Sequence, residues 1–176
     1  MTNIGRSARR SATALLLAIT VGSAAAGCGN DDSSGSGDRS LLELRPVVSA
    51  TPAPCPSEAP EKDQTVLPLT ANGKTECLVL GRAIVDAKDV RSATVGETPA
   101  KEPALSVVLG ATGSANLDGY AQRNQGQRLA IVADRTLVSA PVLQFTSFAG
   151  RVQVTGLSKE KTDDLFRRLN KVIKRS

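Results

Sequence analysis

Apolar positions along this chain of 176 residues follow several different rhythms. The first is an apolar run, Ala12–Val21, with basic residues before it and small residues after it. From Gly29 to Ser40 (GNDDSSGSGDRS) no apolar residue recurs, and the Gly/Ser-rich composition is that of a flexible linker. Beyond it, short runs that suit strands dominate. Leu41–Val48 (LLELRPVV) predicts a first strand, placed at an edge or a bulge by Pro46, which has no N–H for a ladder. Glu76–Leu80 predicts a second strand, and Ile84–Gly96 a turn followed by a third. Val90–Val95 and Ala104–Leu109 form a hairpin across the Pro-containing turn Thr98–Pro103. Thr112–Arg123 reads as a short helix capped by Thr112, with Leu117, Tyr120 and Ala121 on one face. Gly113 and Gly119 weaken it by about 1 kcal/mol each relative to alanine. Two further hairpins are predicted, Leu129–Ala133 with Leu137–Val142, and Phe145–Phe148 with Val152–Thr155 across Ala149-Gly150. The last element has the period of a helix: Ser158 caps it, and Leu165, Leu169, Val172 and Ile173 share a face. Glu160 near its start and Lys171, Lys174 and Arg175 near its end suit the macrodipole. The sum is an α+β domain, a mostly antiparallel sheet with two helices packed on one face.

Charge changes the reading of the N-terminus. Arg6, Arg9 and Arg10 precede the apolar run and no acid accompanies them, the layout of a secretory signal peptide over residues 1–27. These three arginines supply three of the formal net charge of +5, leaving +2 for the rest, too little for a nucleic-acid-binding balance. No zinc spacing of Cys and His is present. The signal ends in Ala25-Ala26-Gly27-Cys28, which resembles the lipobox of bacterial lipoproteins. The resemblance implies that Cys28 is acylated after cleavage and anchors the chain to a membrane. Residues 28–40 are then the lipidated cysteine and its tether, about 17–21 Å long on average, and 41–176 the folded domain. Cys55 and Cys77 remain as an even pair in an exported protein, where a disulfide is expected. It would stabilise the Pro-rich, polar segment between them by about 3 kcal/mol in the chain-entropy view.

Candidate catalytic chemistry is thin. The chain has no histidine, so the commonest general base and metal ligand is missing. Asp134 and Ser139 lie close together in RLAIVADRTLVSAPVLQ, but no motif positions a base for the serine. Asp134 is expected at a hairpin tip capping its own turn, and Ser139 where the strand bends before Pro141. No cofactor or metal site and no catalytic residue is assigned, and a non-enzyme is expected. The basic outer face of the last helix reads as solvated, because its acids are interspersed.

The C-terminal half resembles the head subdomain of the first large extracytoplasmic domain of SecD/SecDF, a component of the Sec protein-export machinery. The residues that carry the resemblance are Ala130-Ile131-Val132, Asp134, Val138-Ser139-Ala140-Pro141, Gly150 and Val154-Thr155-Gly156, with Leu44–Val47, Leu80-Gly81, Asp89-Val90 and Ala93 upstream. It covers residues 41–173. Where the family has Asp-Gly at the hairpin turn this chain has Asp134-Arg135, which predicts a different turn type. The family's membrane-spanning helices and their acids have no counterpart, so a head without its motor is expected. The resemblance implies a lipid-anchored extracytoplasmic protein whose partners are exported polypeptides or Sec components. A structural envelope lipoprotein that reuses the fold stands beside that reading.

Overall fold

A computed structural model describes residues 40–71 and 73–175. The expected signal segment 1–27, Cys28 and the expected tether up to residue 39 lie outside the described residues.

The first strand, β1 (Leu42–Pro52), buries Leu42 and Leu44 on one face. It is longer than expected and lies inside a sheet, not at its edge, and the bulge that Pro46 offered as the alternative has its counterpart in an irregularity just after it. Its first half pairs antiparallel with β7 (Leu129–Ala133) on one flank and with the short β4 (Val85–Asp86) on the other. Its second half pairs with β3 (Lys74–Leu80), and the register slips between Val47 and Ser49. Pro46 is tolerated centrally because of what faces it. The Leu44 and Pro46 carbonyls accept from Ile84 and Gly81, so the missing N–H of Pro46 points at the gap between β3 and β4, where no ladder bond is due.

Between Cys55 and Cys77 the sequence pattern left out a strand. β2 (Thr65–Ala71) pairs with β3 along its whole length, from Thr65↔Leu80 to Ala71↔Lys74. Pro68 masked it, although its exposed position on an edge strand accommodates proline. The two residues between the paired ends, Asn72-Gly73, are the strongest short hairpin signal in the sequence, and Gly73 takes φ +73°. The expected disulfide is present, with Cys55 and Cys77 Cα atoms 5.2 Å apart. The sheet order is β2-β3-β1-β7-β8, with β8 spanning Thr136–Ser139. Its outer strands β2 and β8 touch each other, so the sheet curls around a small core of Leu78, Leu80, Ala130, Val132 and Leu137.

A second sheet has the order β5-β6-β9, from β5 (Val90–Glu97), β6 (Pro103–Leu109) and β9 (Arg151–Thr155). The predicted β5–β6 hairpin forms in its predicted register region, and every pairing in both sheets is antiparallel. The α+β class therefore holds, with two sheets in place of one. Helices α1 (Ala111–Arg123) and α2 (Lys159–Ile173) complete the main core, α1 against β4 and β6 and α2 against β5 and β6. Strand β7 serves both cores. Leu129, Ile131 and Ala133 face the main one, and Ala130 and Val132 the curled one. Burial on both faces explains why this segment reads as an unbroken apolar run.

Three local expectations are corrected. α1 is capped by Gly110, which makes no side-chain cap bond, and Thr112 lies within the first turn. The Gly110 N–H is taken by the Asp89 carbonyl, 2.7 Å away, so the neighbouring 3-10 turn (Ala87–Asp89) fixes the helix start. Gly113 is needed there, since a Cβ would sit 2.6 Å from that of Asp89. Phe145–Phe148 is not a strand. β9 forms where Val152–Thr155 predicts a strand but pairs with β6, far away in sequence, and the turn at Ala149-Gly150 is as predicted, closed by the Arg151 N–H donating to the Phe148 carbonyl. Finally, the β7–β8 turn keeps the type that Asp-Gly would give. Asp134 (φ +48°) and Arg135 (φ +63°) are both left-handed, so a primed turn forms without glycine, at a cost of about 1–2 kcal/mol at Arg135.

Candidate functional site

Asp134 and Ser139, close together in sequence, do not meet as a pair. Asp134 sits at the β7–β8 turn, but its carboxylate does not cap that turn. It accepts from the Arg168 guanidinium of α2 at 2.9 Å, a bond that raises the arginine pKa and ties the hairpin tip to the helix. Arg168 also reaches Asp164, 3.6 Å away. Ser139 ends β8, half-buried, opposite Ile131. Its position before the bend at Ala140-Pro141 is the one expected. Cys77 is fully buried in β3 and Cys55 tethers the preceding loop to it, so both cysteines are structural. No group of three or more His, Cys, Asp and Glu residues able to hold a metal occurs among the described residues.

A concave feature with a largely apolar wall lies elsewhere, between the two sheets. It is a cleft of about 410 Å³. Leu44 of β1, Leu129 and Ile131 of β7 and Leu117 of α1 form its base. The β8–β9 connection, residues 140–150, forms one wall with Val142, Phe145 and Phe148, and β9 forms another with Arg151, Val152 and Gln153. Phe145 is 68% exposed and Val142 50%, the most exposed large apolar residues beside the cleft.

This connection is not loose. Its first part is stapled to the segment before β7: the Leu129 N–H donates to the Pro141 carbonyl (2.9 Å) and the Leu143 N–H to that of Gln127 (2.8 Å). Its last part is held by Asp118 of α1, whose carboxylate accepts from the Phe148 N–H (2.7 Å) and the Ser147 hydroxyl (3.1 Å). Phe148 thereby packs against the main core. Only the Gln144–Thr146 stretch lies between the two sets of anchors, and it carries Phe145 outward. Sequence reasoning placed Phe145 in a strand and missed the cleft. A signal was available: the chain has three phenylalanines, and two stand in the five residues Gln144–Phe148.

β9 borders the cleft with an edge that no strand covers among the described residues. It hydrogen-bonds to β6 on one side only. Near its C-terminal end Gly156 (φ +90°) lies against Val138 of β8, whereas Arg151–Gln153 line the cleft. Unpaired N–H and C=O groups beside an apolar hollow are what an extended chain needs to add as a strand.

Arg128 bridges the curled sheet and the cleft wall. Its guanidinium donates to Glu76 at 2.6 Å and to the Ala140 carbonyl at 3.1 Å. The hydrogen bond from Arg128 holds the Glu76 carboxyl below its ordinary value. No described helix is long and apolar enough to cross a membrane.

Comparison with known proteins agrees with this architecture. The family model for the SecDF P1 head subdomain matches residues 64–171, from β2 into α2. The protein translocase subunit SecD of Aquifex aeolicus (strain VF5) is 33% identical over 94 residues. That match takes in 53% of this chain and only 18% of the Aquifex protein. Among solved structures, SecDF described as a membrane component that enhances protein export superposes with a TM-score of 0.53 at 20% identity, over 83% of this chain and 70% of that one. SecDF in a super-membrane-facing form gives a TM-score of 0.54 at 21% identity, over 78% of this chain and 19% of that one.

Proposed function

This chain belongs to the SecDF P1 head subdomain family, and from that premise we propose that it is an extracytoplasmic, membrane-anchored binding module linked to protein export, and not an enzyme. The observation that carries the binding role is the apolar cleft beside the uncovered edge of β9, with Phe145 and Val142 exposed at its rim. An extended polypeptide adds to β9 through its backbone and sets one apolar side chain into the cleft. Main-chain bonds are the same for every sequence, so the mode suits diverse partners, as unfolded exported chains are. The link to export rests on the named role of the relatives, of which this chain spans only a part. Anchoring rests on Gly27-Cys28 and its resemblance to a lipobox; several acyl chains would hold the protein stably, at about 0.8 kcal/mol per buried methylene.

The test is site-specific photocrosslinking in cells with the probe at Phe145. Capture of unfolded exported chains or Sec components above the level of an unrelated lipoprotein is expected. Equal capture by both would return the protein to the reading of a structural envelope lipoprotein. Mass spectrometry of the native protein should find an acylated Cys28 at the N-terminus, and an unmodified thiol there would remove the anchor.

A further inference from the structure

We propose that a second concavity, between the β3–β4 loop and α1, binds a phosphate-type oxyanion. It has a volume of about 530 Å³ and lies away from the cleft, sharing no lining residue with it. Arg82 enters from the loop, and Asn116, Tyr120 and Arg123 enter from α1. No acidic residue lines it. The hollow beside Asp134 and Arg168 differs in this respect, since Glu160 and Asp164 balance its cations.

The hydrogen-bonding capacity of these four side chains is unspent. Arg45, Arg128, Arg167 and Arg168 each engage a carboxylate of the chain. The guanidiniums of Arg82 and Arg123, the Asn116 amide and the Tyr120 hydroxyl make no such bond within the described residues. Partial burial raises the Tyr120 phenol above its ordinary value, so it is an O–H donor at neutral pH. Two forked cations, an amide and a phenol around an acid-free hollow make a donor set for a multiply charged oxyanion.

The backbone that carries Arg82 is held in place, while the Arg82, Asn116 and Arg123 side chains are exposed. The loop carrying Arg82 is fastened to β1 on both sides, by the Gly81 N–H to the Pro46 carbonyl and the Ile84 N–H to the Leu44 carbonyl, both 2.9 Å. The Arg45 guanidinium adds a third tie, to the Gly81 carbonyl at 2.7 Å. On α1, Asn116 and Tyr120 are one turn apart and share a face. The Arg123 guanidinium lies back along the helix beside Gly119, with its nearest nitrogen 3.5 Å from where a Cβ would stand, an ordinary contact distance.

Free phosphate and a phospholipid headgroup share this chemistry, and one preparation separates them. The full chain is reconstituted in nanodiscs of phosphatidylcholine, and the arginine Nε–H resonances are followed as inorganic phosphate is added. Saturable shifts at Arg82 and Arg123 are expected. Affinity should fall about tenfold or more in the Arg82→Gln/Arg123→Gln pair, given the strength of charge-assisted bonds. An Arg91→Gln/Lys171→Gln pair removes the same charge from elsewhere and should change affinity less than about twofold, if binding is local and not a general response to charge. Discs containing phosphatidylglycerol identify the source. Shifts at the same two arginines before phosphate is added mean a headgroup, and shifts only on adding phosphate mean a free oxyanion. The proposal is overturned if neither ligand moves these resonances, or if the two variant pairs lose affinity alike. The single variants Arg82→Gln and Arg123→Gln give the same comparison should the double variant not fold.

Discussion

Two long connections leave the larger sheet, and they are built on opposite plans. Residues 53–64 lead from β1 to β2, and residues 140–150 lead from β8 to β9. The first is polar and Pro-rich and is fixed covalently, through Cys55, to a cysteine buried in β3. The strand it delivers turns Leu67 and Leu69 toward the curled core. The second has no covalent tie. It is held by backbone bonds at one end and by Asp118 at the other, and between them it turns Phe145 to solvent. One connection spends its apolar residues on closing a core, and the other keeps an apolar residue out of one. A phenylalanine exposed on a loop anchored at both ends is what the proposed binding surface would use.

That contrast can be broken most forcefully on the covalent side. Replacing both cysteines with serine should lower stability by about 3 kcal/mol. Hydrogen exchange should rise in β2 and β3 more than in the cleft wall, and uniform acceleration across both would mean that the two regions do not open separately. On the other side, Asp118→Ala removes the carboxylate that holds Ser147 and Phe148. A loss of about 1–2 kcal/mol is expected, with exchange at the Phe148 amide rising first. A smaller effect joins the two regions. The Glu76 carboxyl is held below its ordinary value by Arg128, so the pair stabilises the fold above the unfolded carboxylate range, and that stability is lost as pH falls through the lowered folded value. Both groups are partly exposed, so Glu76→Gln should cost about 0.2–1 kcal/mol at neutral pH. The gap from the parent protein should close in acid, and a gap that persisted there would assign it to packing. The smallest expected effect on stability is that of Phe145→Ser, within about 0.5 kcal/mol, while crosslinking to polypeptide partners falls. A large loss of stability would show Phe145 to be part of the core after all.

Local pattern carried much of this fold into view. β5 and β6 were legible as a hairpin because their strands are adjacent in sequence, and α2 because Leu165, Leu169 and Val172 recur at the helical period under a serine cap. β2 was obscured by Pro68, which excludes a central strand but not an edge. β9 was found, but its partner was not. The alternation within Val152–Thr155 names a strand and says nothing of β6, which precedes it by more than forty residues. The cleft depends on that non-local pairing, since β9 supplies one wall, and so it was not legible either. The turn at Asp134-Arg135 went wrong for another reason: local preference disfavours Arg in a left-handed conformation, whereas the ladders on either side and the Asp134–Arg168 bond hold it there.

The placement of β1 has a mechanical consequence. Leu41 and Leu42 are 2% and 1% exposed, so the chain enters the core at once after Ser40, and the strand that follows is flanked on both sides by others. A tug delivered through the preceding residues along the axis of that strand would load the ladders on its two flanks in shear, so that many bonds must yield together and not one after another. Both ladders of β1 would share such a load from its first residues onward.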